Sequence, residues 1–231
     1  MDTIETVIPP VDKELLVSEL TKDKLLRKTN NGNNEIFVIT SEDSPHVMRE
    51  IGRLREVTFR DAGGGTGKSI DIDEYDIGTH GFKQMIVWDS DEQEIIGGYR
   101  YLHGKDILID KNNEVKSPTS RLFNFSDKFI KEYMPKTIEL GRSFVQPLYQ
   151  PTFNLRRGLF ALDNLWDGLG ALIIDHTDIE YLFGKVTMYT DFDPFAKDLI
   201  LFFMKKYFPD NEKLVTPKKG ITAYHFRKNT K

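Results

Sequence analysis

Apolar side chains at Val47, Ile51 and Leu54, with Thr58 continuing the series, return to one side of the chain every three or four residues. That period, opened by the start signal Ser44-Pro45, predicts a helix over 44–59. Further along the period changes. Residues 84–88 and 94–102 are rich in β-branched and aromatic side chains and flank the polar turn Asp89-Ser90-Asp91-Glu92-Gln93, which predicts an antiparallel hairpin. A short strand over 36–40 precedes the helix, after the turn-rich string Asn30-Asn31-Gly32-Asn33-Asn34, and residues 11–27 carry a helix-compatible spacing. Beyond the hairpin the pattern predicts a helix over 126–134 and a strand over 136–145. A helical stripe then runs through Leu159, Leu162, Trp166, Leu169 and Ile173. A strand over 181–188, a helix from Asp193-Pro194 through Tyr207 and a last strand over 221–226 complete the order. The fold class is α/β in the α+β sense: one domain over 1–231, with a helical extension over 1–35 and no repeats. Trp166, Phe160, Phe195, Phe202 and Phe203 are expected mostly to fill the core, with lining of an acyl tunnel as the alternative.

Composition narrows the function. The 231 residues are 39% hydrophobic, 12% aromatic and 29% charged, enough for one enzyme-sized core. No run reaches the roughly 20 apolar residues that span a bilayer, and Met1-Asp2-Thr3-Ile4-Glu5 lacks a basic start and apolar stretch, so a cytoplasmic protein is expected. The absence of cysteine excludes disulfides, thiolate metal sites and a cysteine nucleophile, and five scattered histidines predict no metal site. A net charge of −4 argues against nucleic acid. Residues 196–231, however, hold nine basic side chains, Lys205 and Lys206 among them, against Asp198, Asp210 and Glu212. Such a patch can steer an acidic protein or rest on anionic lipid headgroups at the inner membrane, or it is a solvated helix face. Arg156 and Arg157 form a second candidate docking pair.

The densest chemistry lies in Glu139-Leu140-Gly141-Arg142, followed by Ser143-Phe144-Val145. In a regular strand Glu139 and Arg142 would face opposite ways. A bulge at Gly141, which lacks a Cβ, would bring them together and splay open two backbone N–H groups; the alternative is an edge-strand salt bridge. Upstream stand Arg55 and Phe59 on the predicted helix, Asp73 and Asp76 in an acidic run, and Arg100 on the hairpin. In order and spacing these residues resemble the acyl-homoserine-lactone synthases and their relatives, the N-acyl amino acid synthases and the ornithine and glycine lipid N-acyltransferases. All of these share the fold of the Gcn5-related N-acetyltransferases. The resemblance covers roughly residues 44–208 and is strongest to the aminolipid branch, through the Glu139 string and Leu182-Phe183-Gly184-Lys185-Val186. It implies a central mixed, mostly antiparallel twisted sheet flanked by helices.

The resemblance also implies the reaction: a 3-hydroxyacyl or similar fatty acyl group passes from a thioester to the α-amine of glycine or ornithine, in aminolipid synthesis. Glu139 is the expected base, or positions the amine or a water, and Arg142 is its catalytic partner. Arg142 or Arg100 would bind the substrate carboxylate through a forked pair of hydrogen bonds. Backbone N–H groups from Arg142 through Ser143, Phe144 and Val145 would receive the charge on the thioester oxygen. Arg55, Phe59, Asp73 and Asp76 complete the substrate-binding set, the charged three also as an ion-pair network. The coenzyme A pyrophosphate string, Gln or Arg, two residues, Gly, one residue, Gly or Ala, is missing after the Glu139 strand. No tightly bound cofactor is therefore expected, and the donor reads as an acyl-phosphopantetheine thioester on acyl carrier protein, docked on Arg156, Arg157, Lys205 and Lys206. An O-acyltransferase would act on the product. Gly141 stands where lactone synthases usually carry Ser, so a signal N-acyl amino acid or lactone synthase is the second expectation.

One motif competes. Ala62-Gly63-Gly64-Gly65-Thr66-Gly67-Lys68-Ser69 satisfies a relaxed phosphate-binding loop and offers a nucleotide-binding module as the rival class. Yet a helix, not a strand, precedes it, and the acidic run that follows would repel a triphosphate. Residues 61–76 read instead as a mobile, Gly-rich and acidic flap over the donor.

Overall fold

In a computed structural model the described residues are 4–111, 114–153, 155–189 and 191–220; the side chains of Arg156 and Arg157 lie outside them, as does the strand expected over 221–226. In chain order the elements are α1 Lys13–Glu19, β1 Leu25–Lys28, β2 Glu35–Ile39, α2 Pro45–Asp61, β3 Lys83–Asp89, β4 Glu94–His103 and β5 Phe123–Phe125. They continue with β6 Thr137–Val145, α3 Leu155–Gly158, α4 Ala161–Asp175, β7 Tyr181–Phe183, α5 Pro194–Tyr207 and β8 Val215–Pro217. Six strands form one sheet in the order β1-β2-β3-β4-β6-β7, antiparallel throughout except for the parallel pair β6 and β7.

The alternation of side chains along β3 explains the layering. Met85 and Val87 point to one face and pack with Leu165, Leu169 and Leu172 of α4. Ile86 and Trp88 point to the other and pack with Val47, Ile51 and Leu54 of α2. The sheet is thus buried on both faces, between one helix layer and the other. At its lower end Phe82, Leu102, Phe129 and Met134 form a third cluster.

Several elements depart from the sequence expectation. The helix over 11–27 ends at Glu19, and Leu25–Lys28 becomes the edge strand β1, because pairing with Glu35–Phe37 of β2 outweighs a marginal helical spacing. The expected helix over 126–134 is a π-turn at Phe129–Tyr133 and a tight turn at Met134–Lys136. The strands β5 and β8, which pair Phe123 with Pro217 and Phe125 with Val215, were not anticipated.

Of the stripe expected on α4 only Leu169 faces the core. Leu159, Leu162, Trp166 and Ile173 are exposed, while Ala161, Leu165, Leu169 and Leu172 are buried. The helix is apolar over more than one face, so the period alone left its rotation open. Gly168 settles it: a Cβ there would stand 2.5 Å from the Met85 sulfur, so only the glycine side lets α4 lie this close to β3. The aromatic residues expected in the core or an acyl tunnel follow the same correction. Trp166 is 66% exposed, and Phe195, Phe202 and Phe203 of α5 are exposed as well.

Candidate functional site

The site begins where two strands part company. β6 and β7 run parallel with Thr137 beside Tyr181, Ile138 beside Leu182 and Glu139 beside Phe183. There the pairing stops: β7 ends at Phe183, five residues short of the expectation, while β6 continues to Val145. A cleft of about 360 Å³ opens from this point, lined along one wall by Glu139, Gly141, Arg142 and Ser143 and along the other by Lys185, Thr187 and Tyr189.

The expected bulge is present one residue further along. Gly98 pairs with Phe144 and Arg100 with Gly141, so Arg142 and Ser143 together face Tyr99. Arg142 carries the irregularity with φ 48°, a conformation that side-chain-bearing residues avoid. Its guanidinium is held in compensation: Nε lies 2.9 Å from Asp71 and a terminal nitrogen 3.5 Å from Asp73. Gly141 has a different role. A Cβ there would come within 3.3 Å of Arg100 Nε, so the glycine gives the Arg100 side chain its path across β6.

Behind the cleft lies a closed ionic network. Arg55 and Asp76 are sealed from solvent and paired at 3.0 Å. Arg100 donates to Asp73 at 2.8 Å and to Asp76 at 3.1 Å, and Gln84 bridges by accepting from Arg55 and donating to Asp76. The Arg100 guanidinium also lies over the rings of Phe82, at 5.4 Å, and Tyr75, at 5.9 Å. Burial alone would raise Asp76, but Arg55 and Arg100 outweigh it and hold the carboxyl below its usual value. For Asp71 the balance goes the other way, and burial lifts it against the pull of Arg142 and Arg55. Arg55 and Asp76 have no exposed surface and stand behind the cleft rather than in its lining, where the expectation had put them.

The front of the cleft is less crowded. Glu139, 4% exposed, accepts one hydrogen bond, from the Thr119 hydroxyl at 2.6 Å. Beside Thr119, the carbonyl of Pro118 accepts from Lys185 Nζ at 3.1 Å. Consecutive residues of one loop therefore fix a carboxylate from β6 and an ammonium from beyond β7. Phe59 also lines the cleft, as does Gly64, whose lack of a side chain leaves room for the Tyr189 ring.

The Gly-rich loop is tied to the protein itself. Glu56 of α2 accepts from the amides of Thr66 and Gly67, from the Thr66 hydroxyl and from Arg60. These hydrogen bonds outweigh burial and hold Glu56 below the usual carboxylate range. Amides that would cradle a phosphate are thus already engaged by a negative charge, and helix α2, not a strand, leads into the loop.

Of the residues singled out from sequence, Glu139, Arg142, Arg100, Phe59 and Ser143 share the cleft, and Asp73 stands behind it in contact with two of them. Phe144 instead turns into the packing beneath α2, and Val145 packs on the α4 side, and neither lines the cleft. Lys205 and Lys206 lie in the exposed last turn of α5, with the Lys206 ammonium 5.1 Å from the Tyr207 ring centre. Sequence reasoning missed Thr119, Gln84, Asp71, Tyr189 and Lys185. Of these only Lys185 stood in a string that carried the resemblance, Leu182-Phe183-Gly184-Lys185-Val186, within the strand expected over 181–188 and without an assigned role. Among the described residues there is no cluster of His, Asp and Glu that could hold a metal ion. No helix among them is long and apolar enough to cross a membrane.

Comparison with known proteins agrees with this architecture. Residues 54–157 match the acetyltransferase (GNAT) domain family. Over 214 residues the chain is 58% identical to a glycine N(alpha)-acyltransferase of Bacteroides thetaiotaomicron, covering 93% of this chain and 64% of that protein. A glycine N(alpha)-acyltransferase of Phocaeicola vulgatus is 54% identical over 218 residues, covering 94% of this chain and 67% of that protein. The chain thus spans about two thirds of the length of these relatives. No solved structure was found to match it.

Proposed function

Because the chain belongs to the GNAT acetyltransferase family, we propose that it transfers a fatty acyl group from a thioester to the α-amine of glycine. The observation that carries this reading is the place of Glu139, a nearly buried carboxylate at the head of the split between parallel strands β6 and β7. A thioester laid along β6 presents its carbonyl to the bulged backbone at Arg142 and Ser143, and an amine entering beside it meets Glu139. Glycine enters as an ammonium, which must lose a proton before its nitrogen can attack. Glu139 accepts that proton directly or through a water, while Thr119 donates to one of its oxygens, Oε1. Attack forms the C–N bond and places charge on the former carbonyl oxygen, which bulge amides stabilise. Collapse expels the thiolate, which takes up the second proton that the nitrogen sheds, and leaves an amide and a free thiol. Arg142 and the network behind it hold the bulge in its irregular conformation.

The donor in this reading is acyl-phosphopantetheine on acyl carrier protein, supported by the missing pyrophosphate string after β6 and by the exposed basic end of α5. A 3-hydroxyacyl chain would leave a hydroxyl for later O-acylation. Glycine is taken from the names of the two relatives. The test is direct: the purified chain is given a 3-hydroxyacyl carrier protein and glycine, and N-acylglycine is read by mass spectrometry. Glu139→Gln is expected to lower the rate about 100-fold, within the range for loss of a general base. Undiminished product from that variant would overturn the assignment of Glu139.

A further inference from the structure

The charges around the cleft can be matched against one another. Arg55, Arg100 and Arg142 are each engaged by Asp71, Asp73 or Asp76, so three cations and three carboxylates answer one another. That removes both arginines first considered for the substrate carboxylate. Arg100 is nearly buried between two aspartates, and Arg142 is spread across two more contacts that fix the bulge. Glu139 and Lys185 are left over. Among the described residues the Lys185 ammonium meets only a neutral partner, the carbonyl of Pro118, and no donor but the Thr119 hydroxyl reaches Glu139. Both line the same cleft, and they are set close together. Phe183 is the register partner of Glu139, Lys185 follows it by two residues, and adjacent loop residues hold both groups.

Resting on the glycine acyltransferase reading, we propose that Lys185 binds the α-carboxylate of the amino acid, so that Glu139 and Lys185 together receive its zwitterion. An amino acid carries one ammonium and one carboxylate, the complement of the two charges in the cleft that, among the described residues, form no ion pair. With the carboxylate on Lys185, the amine is turned toward Glu139 and the bulge. A simple amine would lack that orientation and a decarboxylated substrate would bind loosely. The electrostatic setting agrees: burial pulls the Lys185 ammonium below the ordinary lysine range, with Arg100 and Arg142 adding to the effect and Glu139 opposing it. An incoming carboxylate restores what burial takes away.

The test compares glycine with glycinamide, which keeps the amine and replaces the carboxylate by a neutral amide. The wild-type chain should prefer glycine. In Lys185→Met, which keeps the aliphatic stem, kcat/KM for glycine should fall about 30-fold, mostly through KM, while that for glycinamide changes by less than about threefold. Lys185→Arg should retain most of the preference, since it keeps the cation, and this variant guards against a loss caused by misfolding. Equal losses for both amines would overturn the proposal and mark Lys185 as a proton donor or a structural residue. An unchanged preference in Lys185→Met would overturn it as well. Failure of the wild-type chain to acylate glycine at all would instead strike the reading under Proposed function, so the two failures are distinct.

Discussion

Two groups of charges share this cleft and are treated in opposite ways. Arg55, Asp76 and Arg100 are buried, mutually paired and supported by Gln84, whereas Glu139 and Lys185 line the cleft and, among the described residues, have the Thr119 hydroxyl and the Pro118 carbonyl as their side-chain hydrogen-bond partners. The contrast shows how to separate supporting from reacting charge. Desolvated ions that answer one another hold the helix α2, the acidic segment and β4 together but have nothing left to offer a ligand. Ions left with a neutral partner in an open cleft are poorly stabilised until a ligand arrives.

The strongest way to break the comparison is at its rear. Asp76→Asn leaves Arg55 buried without its counter-ion and should lower stability by about 3 to 5 kcal/mol, read by urea denaturation. A loss below about 1 kcal/mol would show that the network is dispensable. At the front the effect should move from stability to rate. Glu139→Gln is expected to leave the unfolding free energy within about 1 kcal/mol of wild type. A rate loss of about 100-fold corresponds to about 2.7 kcal/mol in the barrier. Equal damage to folding would merge the two groups.

Acid should sharpen the distinction. Asp76 is held below the ordinary value of 3.8, so its contribution to stability is fully present above pH 3.8 and is lost as pH falls through the lower folded-state value. The wild-type unfolding free energy should therefore drop on acidification below pH 3.8, while that of Asp76→Asn drops less and the two curves converge. Parallel curves would mean that another carboxylate dominates. The smallest effect is expected at Lys68, the lysine of the phosphate-loop-like string. Lys68→Ala should change stability by no more than about 0.5 kcal/mol and leave acyl transfer intact. Titration with ATP and magnesium should give no heat. Binding abolished by this change would revive a nucleotide site.

Much of the frame could be read in the chain. The α2 helix, the β3-β4 hairpin and the Glu139 strand have strong local periods, and the helix from Pro194 has an Asp193 cap that the structure retains. Glu139, Arg142 and Arg100 could be picked out because charged residues inside strand-like runs are costly to bury without a purpose. The bulge was placed at Gly141 because glycine is the residue that tolerates irregular backbone, yet the structure gives Arg142 the positive φ. Its guanidinium, pinned by Asp71 and Asp73, secures that conformation, and no local rule reports a partner some seventy positions away. Lys185 was hidden for a similar reason. It reads as one more residue of a strand until the chain is seen to leave the sheet at Phe183.

By itself the sequence determined the α2 helix, the β3-β4 hairpin, the Glu139 strand and the helix from Pro194, that this chain offers no thiol, and that a carboxylate and several guanidinium groups sit in unusual places. These follow from local propensity, period and composition, which depend on near neighbours along the chain. Only the tertiary structure decided which face of α4 meets β3, which aspartate neutralises which arginine, and which two charges of the cleft form no ion pair among the described residues. Packing and ionic pairing depend on distances through space between residues far apart in sequence, and those distances exist only once the chain has folded.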